Sequence, residues 1–279
     1  MSCSGEVMGR DVDRFDLEGR RVPEELVNDV IRLMARHRSV RAYRPDPLPE
    51  GLLEVLVTAA QSASTSSNLQ AYSIVAVEDA EKRRLLAEWS KNPFVAQAPL
   101  FLAFCPDLHR LERVAQRQGY EMQSAGLEMF IVAVVDAALA AQNLALAAES
   151  LGLGICYIGG LRNELEKVAE LLRLPPGTFG LFGMTVGYPA DAPRVRHRLP
   201  LEVVLHREEY SDAGLDEALG RYDAVTAESG IYAKRRVAVE DAREPEVYGW
   251  LEHTARRLAR PSASRLHMRE RLERLGWVF

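Results

Sequence analysis

The feature that most constrains the fold is a long apolar stretch in the middle of the chain, at residues 128–151. It begins with Met129-Phe130-Ile131-Val132 and continues as an alanine-rich run to Ala148. Its length would suffice to cross a bilayer, but polar residues interrupt it at Asp136, Gln142, Asn143 and Glu149. A helix that is apolar on nearly every face must be covered on nearly every face. We therefore expect a central core or subunit-interface helix and no membrane span.

The composition is that of an ordinary soluble protein. The chain has 279 residues, of which 47% are apolar and 27% charged, so it is long enough for one large domain or a domain with an appendage. A net charge of −5 argues against nucleic acid as a partner. Cys3, Cys105 and Cys156 lack the spacing of a thiolate metal site or a disulfide framework. Residues 1–21 lack the apolar core of a signal peptide, so we expect a cytoplasmic protein.

Apolar periodicity, prolines and caps divide the chain into elements. Helices are predicted at 24–35, 49–63, 80–90, 109–118, 128–151 and 162–172, and strands at 72–77, 99–105, 155–158 and 179–186. The first helix has an apolar stripe that predicts a buried face, formed by Leu26, Val27, Val30, Ile31 and Met34. From Gly214 onward the chain is charged and helical. We predict an N-terminal extension at 1–22, a core at 23–210 and a C-terminal helical appendage at 211–279 that contacts the core or a partner subunit.

An arginine-rich segment, residues 36–44, follows the first predicted helix. Lys and Arg make up 35 of 279 residues, so nine residues hold about one on average, whereas this segment holds four arginines together with His37 and Ser39. Pro45 and Pro47 then force an extended exit. Guanidinium groups held at a helix end suit a phosphate, which needs several charge-assisted donors. The alternative is a solvated basic helix end that favours the helix dipole.

Several chemistries are not supported by any motif. The sequence lacks GxGxxG after a strand, GxxxxGK[ST], GxSxG and HExxH. Its six histidines are scattered, which favours surface residues over metal ligands, so no metal site is expected. Polar stretches remain at 36–44, 66–72 and 194–198, together with the pair Gly159-Gly160. We interpret them as one split ligand site.

Six short motifs resemble, in order, those of the oxygen-insensitive NADPH nitroreductase and flavin reductase family. They are His37-Arg38-Ser39-Val40-Arg41, Ser66-Ser67-Asn68-Leu69-Gln70-Ala71-Tyr72, Asp136-Ala137-Ala138-Leu139-Ala140-Ala141-Gln142-Asn143, Ala148-Glu149-Ser150-Leu151-Gly152-Leu153-Gly154, Tyr157-Ile158-Gly159-Gly160-Leu161-Arg162-Asn163 and Arg196-His197-Arg198-Leu199-Pro200. The resemblance covers about residues 24–210, and Leu275-Gly276-Trp277 also resembles the end of that family. The N-terminal extension departs from the pattern, and residues 229–250 match it only loosely.

The resemblance implies an α+β fold, with a mixed sheet flanked by helices, in a domain-exchanged homodimer that holds FMN without a covalent bond. The residues that it assigns to FMN are His37, Arg38, Ser39, Arg41, Ser67, Asn68, Gln70, Tyr72, Tyr157, Ile158, Gly159, Gly160, Arg196 and Arg198. Chemistry gives these stretches different parts. The cations and hydroxyl of 37–39 and 196–198 suit the phosphate, while Arg41 suits the ribityl or pyrimidine end and Gln70 the pyrimidine edge. Gly159 and Gly160 would let backbone amides approach the ring, or would form a plain strand-end turn.

The implied reaction is reduction of nitroaromatics or quinones by NADPH in a ping-pong sequence, without a catalytic side chain because the flavin carries the chemistry. Free flavin as the main acceptor remains an alternative, and so does a non-catalytic FMN-binding protein. The 2′-phosphate of NADPH needs a cationic cluster, for which Lys234, Arg235 and Arg236, with Arg243, are the candidates. The alternative for that cluster is a solvated charge run.

Overall fold

The predicted strands all form, and together they make one sheet. They are β1 (Tyr72–Val77), β2 (Leu100–Pro106), β3 (Gly154–Ile158) and β4 (Phe182–Gly187). The computed structural model describes residues 12–123, 126–239, 245–260 and 262–279. The strand order is β1-β2-β4-β3, with each neighbouring pair antiparallel. A parallel bridge between Ser39 and Ile155 adds the only parallel pairing among the described residues, at the β3 edge.

The helices divide between two units of the chain. They are α1 (Arg14–Leu17), α2 (Asp29–Ala35), α3 (Leu52–Gln61), α4 (Ala80–Ser90), α5 (His109–Arg117), α6 (Leu127–Ser150), α7 (Leu165–Leu172), α8 (Leu201–Val204), α9 (Leu215–Glu228), α10 (Trp250–Ala259) and α11 (Met268–Arg274). The sheet unit comprises residues 28–194 and 267–279 and contains the sheet with α2–α7 and α11. The helical unit comprises the described residues up to 27 and 195–266, and contains α1 and α8–α10.

Strand β2 is the centre of the sheet unit, and all of its residues are buried. Its side chains alternate between two layers, because successive residues of a strand point to opposite faces. Leu102 and Phe104 pack with Leu144 of α6 in one apolar cluster. Phe101 and Ala103 join a second cluster, which includes residues of α4 and α7. The continuous apolar run of β2 is therefore explained by helices on both sides of the sheet.

The first predicted helix is interrupted, and its apolar stripe is largely exposed. A short 3-10 turn at Glu24–Leu26 precedes α2, whose start is fixed by Asn28, because the Asn28 side chain accepts a hydrogen bond from the Ile31 N–H. Leu26, Val30 and Met34 are 67%, 56% and 44% exposed. The prediction of one buried helix face was therefore wrong for the single chain.

Helix α6 forms as predicted but is not buried all round. One side is buried, with Ala137, Ala140, Ala141 and Leu144 fully inaccessible. The opposite side carries Leu127, Ile131, Val135 and Leu139, spaced four residues apart and 43–58% exposed. By length and composition the helix could cross a membrane, yet it packs on α3 and on the sheet. We expected α6 to be covered on nearly every face, but within one chain only one side of the helix is covered.

The C-terminal residues pack into the sheet unit. Trp277 is 2% exposed and meets Phe130 of α6 and Phe179 edge-on. On α11, Arg271 pairs with Glu166 of α7 and donates to the Asn163 carbonyl. The end of the predicted appendage therefore contacts the core of its own chain.

Candidate functional site

The arginine-rich segment lies directly after α2, at the edge of the sheet. Arg36 is the C-cap of α2, as predicted. The Val40 N–H donates to the Ile155 carbonyl over 2.9 Å, which attaches the segment to β3. Gly154 permits this approach, because a Cβ there would lie 2.6 Å from the Val40 side chain. The segment is therefore held by backbone pairing and close packing as well as by its position after a helix.

The predicted FMN ligands of this segment are half-buried. His37, Arg38, Ser39 and Arg41 are all of intermediate exposure, whereas Arg36 is exposed. His37 Nδ1 lies 2.7 Å from Glu149 Oε1, near the end of α6. This contact orients the imidazole ring. Arg41 bends back, and its guanidinium donates to the Ser39 carbonyl over 3.3 Å.

Tyr43 locks the far end of the segment. Its hydroxyl donates to the Val40 carbonyl over 2.9 Å and lies 2.7 Å from Thr185 Oγ1 of β4. Burial raises the pKa of the Tyr43 phenol well above its usual value, so the group stays neutral. Ala190 then donates to the Ala42 carbonyl, which adds a further backbone tie. The segment has fixed geometry along its whole length.

A buried carboxylate on α6 holds the polar loop 66–71. Asp136 is 1% exposed, and its two oxygens accept hydrogen bonds from Ser66 N and Ala71 N, each over 3.0 Å. Between these bonds, Ser67, Asn68 and Gln70 have φ values of 48°, 56° and 52°. Left-handed backbone at residues other than glycine costs roughly 1–3 kcal/mol each and persists only where the surroundings impose it. The loop is thus a strained segment clamped at both ends.

The exposed residues of this loop include the predicted flavin contacts Ser67, Asn68 and Gln70. The Gln70 amide is 3.3 Å from the Asn68 side-chain oxygen. Arg110 of α5 donates to the carbonyls of Gln70 and Tyr72, each over 2.6 Å. Tyr72 is 7% exposed and belongs to the core cluster around α6, yet it also lines a cavity together with Gln70 and Arg110. Its role as a cofactor contact stays a prediction.

The end of β3 supplies the next predicted group. Tyr157 is partly exposed, and its hydroxyl donates to Gln142 Oε1 of α6 over 3.3 Å. The Ile158 side chain is 2% exposed and lies in the second core cluster, so only its backbone could contact a ligand. A Cβ at Gly160 would lie 2.3 Å from the Ser90 carbonyl oxygen, whereas at Gly159 it would meet only the end of the Arg162 side chain. Close packing against Ser90 explains why residue 160 is a glycine. Gly159 is less closely packed, so a ligand would have room to approach its backbone.

The remaining predicted phosphate ligands, Arg196 and Arg198, belong to the helical unit. They lie in a segment without regular secondary structure, in which Arg196 is half-buried and Arg198 exposed. The Arg198 N–H donates to Glu18 Oε1 over 2.9 Å. The Arg196 carbonyl accepts a hydrogen bond from Arg14 Nε over 3.4 Å. Residues of the N-terminal extension therefore hold the backbone of this segment.

The NADPH candidates also lie in the helical unit, in the predicted loop between α9 and α10. Lys234, Arg235 and Arg236 are all exposed. The Arg236 guanidinium lies over the Tyr248 ring, 5.2 Å from its centroid. Arg256, which is 4% exposed, donates to the Val237 carbonyl and so fixes the end of this loop. The fourth candidate, Arg243, lies outside the described residues.

The residues that position these stretches were not among the predicted site residues. They are Asp136, Glu149, Tyr43, Arg110, Arg14 and Glu18. Asp136 and Glu149 could have been found, because a carboxylate within an apolar helix is costly unless it is partnered. Tyr43 and Arg110 gave no such signal. Tyr43 contacts the Val40 carbonyl and the Thr185 hydroxyl, and Arg110 contacts two backbone carbonyls that lie 38 and 40 residues away in sequence.

The donor set of the sheet unit fits FMN. A phosphate monoester carries a charge of about −1.5 to −2 near pH 7, and the half-buried segment 37–41 offers two guanidiniums, an imidazole and a hydroxyl. Glu149 Oε2 is buried and lacks a hydrogen-bond partner among the described residues, so a hydroxyl donor such as that of a ribityl chain would satisfy it. When bound, FMN would supply the two-electron chemistry, with residues 37–39 at its phosphate end, Arg41 at its ribityl or pyrimidine end, and Gln70 and Gly159 at its ring.

Comparison with known proteins gives consistent matches over nearly the whole chain. The model of the nitroreductase family matches residues 34–188, and that of the nitroreductase family C-terminal domain matches residues 196–279. The chain is 45% identical over 188 residues to the FMN reductase (NADPH) of Bacillus subtilis, covering 66% of this chain and 76% of that protein. It is 38% identical to the oxygen-insensitive NADPH nitroreductase of Salmonella typhimurium, covering 90% of this chain and 99% of that protein.

Solved structures agree with these matches. The B. megaterium NfrA1 structure is 40% identical, with a TM-score of 0.80, and covers 89% of this chain and 99% of that one. The NADPH:FMN oxidoreductase from Vibrio harveyi, complexed with NAD+, is 35% identical, with a TM-score of 0.77, and covers 89% of this chain and 98% of that one. On its fold, its matched residues and its relatives, this chain belongs to the nitroreductase family.

Proposed function

We propose that the protein is an FMN-dependent oxidoreductase that uses NADPH to reduce nitroaromatics and quinones by ping-pong two-electron transfer. The observation that carries the proposal is the segment 37–41, whose cations and hydroxyl are half-buried and fixed to β3 by the bond from Val40 to Ile155. The names of the relatives, which include an FMN reductase (NADPH) and an NADPH nitroreductase, support both the cofactor and the electron donor.

The chain's own residues bind and orient the cofactor and leave the chemistry to it. Arg38 and Ser39, with His37 held by Glu149, neutralise the phosphate, and Arg196 and Arg198 add to that charge. Each charge-assisted bond contributes about 1.5–3 kcal/mol. Two or three of them would supply much of the roughly 8 kcal/mol that micromolar retention requires. Gln70 can both donate to and accept from the pyrimidine edge.

The test compares FMN with riboflavin, which lacks the phosphate. Full-length protein should retain FMN on purification and should bind riboflavin far more weakly. Arg38→Ala and Arg198→Ala should each weaken FMN binding by at least about 2 kcal/mol, because a buried phosphate would lose a charged partner. Equal affinity for the two flavins would contradict the phosphate role of these arginines.

A flavin reductase is the second candidate function. The 45% identical relative from B. subtilis is named FMN reductase (NADPH), which favours free flavin as the acceptor. Steady-state rates with free FMN, a quinone and a nitroarene, each at saturating NADPH, separate the two candidates. A third reading is an FMN-binding protein without turnover. In that case mixing with NADPH under anaerobic conditions would leave the absorbance of the bound flavin unchanged.

We assign the NADPH 2′-phosphate to the exposed cluster Lys234, Arg235 and Arg236. The support is its position in a loop that Arg256 fixes from α10, with Arg236 already held against Tyr248. A fixed backbone with exposed cations can discriminate a phosphate at low entropic cost. The alternative is a solvated charge run, and the effect of changing Arg235 and Arg236 on NADPH compared with NADH decides between them.

We also propose a homodimer, in which the exposed side of α6 is covered by a second copy. Leu127, Ile131, Val135 and Leu139 form an apolar stripe that a monomer would leave in water. Light scattering should give about twice 31.2 kDa, and a monomer at micromolar concentration would contradict the assembly. The division at 22 and 210, the domain exchange and the cytoplasmic location, without nucleic-acid or membrane partners, belong to the same proposal.

A further inference from the structure

The N-terminal arm, defined here as residues 12–22, lies outside the part of the chain that resembles the family. The two family models begin at residue 34 and end at residue 279. The Salmonella typhimurium relative is covered over 99% of its length by 90% of this chain. The arm is therefore an addition to the common fold, and its contacts are not explained by what the family requires.

The conformation of the arm brings two charged side chains, Arg14 and Glu18, to the same face. Asp13 caps α1, because its carboxylate accepts hydrogen bonds from Phe15 N and Asp16 N. One turn of helix then places Arg14 and Glu18 four residues apart, on the same face. Asp13 is 1% exposed, so this short helix is docked and capped even though it has only four residues.

Both side chains hold the backbone of segment 196–198. Glu18 Oε1 accepts the Arg198 N–H over 2.9 Å, and Arg14 Nε donates to the Arg196 carbonyl over 3.4 Å. The Glu18 side chain is only 10% exposed and also pairs with Arg20 over 2.5 Å. A hydrogen bond to a charged and largely buried carboxylate is among the stronger interactions available to a loop.

Glu18 lies among several positively charged arginine side chains. Burial lowers the pKa of Arg14, the positive charge of Arg198 lowers it further, and Glu18 acts in the opposite direction. Glu18 is therefore a counter-charge between two arginines that repel each other. The arm also forms one wall of a cavity of about 760 Å³, whose other walls include His197, Arg198 and Tyr222.

We propose that the arm, through Glu18, is a positioning element that holds segment 196–198 in the conformation in which Arg198 binds the FMN phosphate. Glu18 acts through the backbone N–H of Arg198, so it need not contact the cofactor. The inference rests on the proposed function, because it assigns the arm a part in retaining the phosphate. It predicts that the arm raises the preference for FMN over riboflavin.

The experiment uses full-length holoenzyme and follows the recovery of flavin fluorescence on dilution, for FMN and for riboflavin. Glu18→Ala should weaken FMN about tenfold, an effect of about 1.4 kcal/mol, and should leave riboflavin unchanged. Glu18→Gln should weaken FMN binding less than Glu18→Ala does, because the amide oxygen still accepts from Arg198 N–H although the counter-charge is lost. Asp16→Ala is the matched control, since Asp16 is an exposed acid of the same helix.

Each other outcome of this experiment overturns a defined part of the proposal. If Arg198→Ala weakens FMN but Glu18→Ala does not, the arm has no positioning role and the proposed function stands. If Arg198→Ala has no effect, the phosphate role of Arg198 is wrong and the role of the arm falls with it. Equal losses for FMN and riboflavin in Glu18→Ala would mean general damage. Should that variant fail to fold, truncation of residues 1–22 must show the same FMN-selective loss, and its absence refutes the inference.

Discussion

Replacing Asp136 by Asn is the sharpest test of how the site is held. The change keeps the size of the side chain but removes one of its two acceptor oxygens. In the parent, both oxygens accept backbone N–H groups at 3.0 Å, from Ser66 and Ala71. In the variant the amide NH2 faces one of these donors, which can no longer be satisfied there.

The expected cost follows from what is lost and what is relieved. A hydrogen bond to a charged group contributes about 1.5–3 kcal/mol, and an unsatisfied buried donor costs a further 1–3 kcal/mol or so. Removing a carboxylate that is 1% exposed relieves part of its desolvation cost. We therefore expect Asp136→Asn to lower the free energy of unfolding by about 2 kcal/mol, and Asp136→Ala, which loses both bonds, by about 4 kcal/mol.

Urea unfolding at one fixed protein concentration measures this loss, since association would otherwise change the apparent stability. Hydrogen exchange reports the same clamp locally, because the amides of Ser66 and Ala71 should lose protection in the Asn variant. Asp79→Asn is the matched control. Asp79 caps α4 through Lys82 N at an exposed position, where Asp and Asn cap about equally well.

The strained loop adds a functional consequence. Ser67, Asn68 and Gln70 keep positive φ values only while both ends of the loop are held. Asp136→Asn should therefore also weaken FMN binding, although Asp136 need not touch the cofactor. An unfolding free energy within about 0.5 kcal/mol of the parent, with unchanged exchange at Ser66 and Ala71, would refute the clamp.

Three further predictions concern single contacts. Glu149→Ala should weaken FMN binding more than riboflavin binding. Both flavins lose the acceptor for a ribityl hydroxyl, but only FMN has the phosphate for which Glu149 orients His37, and flavin titration checks this. The double variant Arg235→Ala/Arg236→Ala should raise the apparent KM for NADPH tenfold or more, an effect of about 1.4 kcal/mol. The apparent KM for NADH should be unchanged in the same steady-state assays. Equal losses for both nucleotides would indicate a general positive field. Hydrogen bonds from Arg271 lower the pKa of Glu166 to about 2. Its stabilising contribution is thus complete above about pH 4.5 and lost toward pH 2, so Glu166→Gln should destabilise at pH 7 more than at pH 3 in urea titrations.

Local patterns predicted the elements well where the deciding interactions are themselves local. Strand β1 and helix α4 have the predicted bounds, because Asp79 caps the helix and β-branched residues fill the strand. The predicted start of the first helix, at residue 24, was wrong by several residues because Asn28 caps α2 and sets its start. Apolar spacing also predicted burial for Val30 and Met34, but spacing shows which face is apolar and not what covers it.

The sequence identified the segments of the candidate site but not how they are arranged, for a related reason. Motif residues of segments 37–41 and 66–72 were identified, yet the contacts that fix them come from residues about 65–112 positions away, such as Asp136 and Glu149. Such pairings depend on the tertiary fold, which periodicity does not specify. Arg14 and Glu18 lay in an extension that carried no motif, so only the structure reveals their contacts with segment 196–198.

Helix α6 explains why these separate stretches share one region of the sheet unit. Its polar interruptions, which argued against a membrane span and belong to two of the six sequence motifs, each reach a different segment. Asp136 holds the loop 66–71, Asn143 donates to the carbonyl of Ala59 at the end of α3, Gln142 accepts from Tyr157, and Glu149 holds His37. Asp136 and Glu149 are 13 residues apart, which is roughly 20 Å along a helix. The apolar residues of α6 thus fix it against the sheet, and its few polar residues set the spacing of the stretches assigned to FMN.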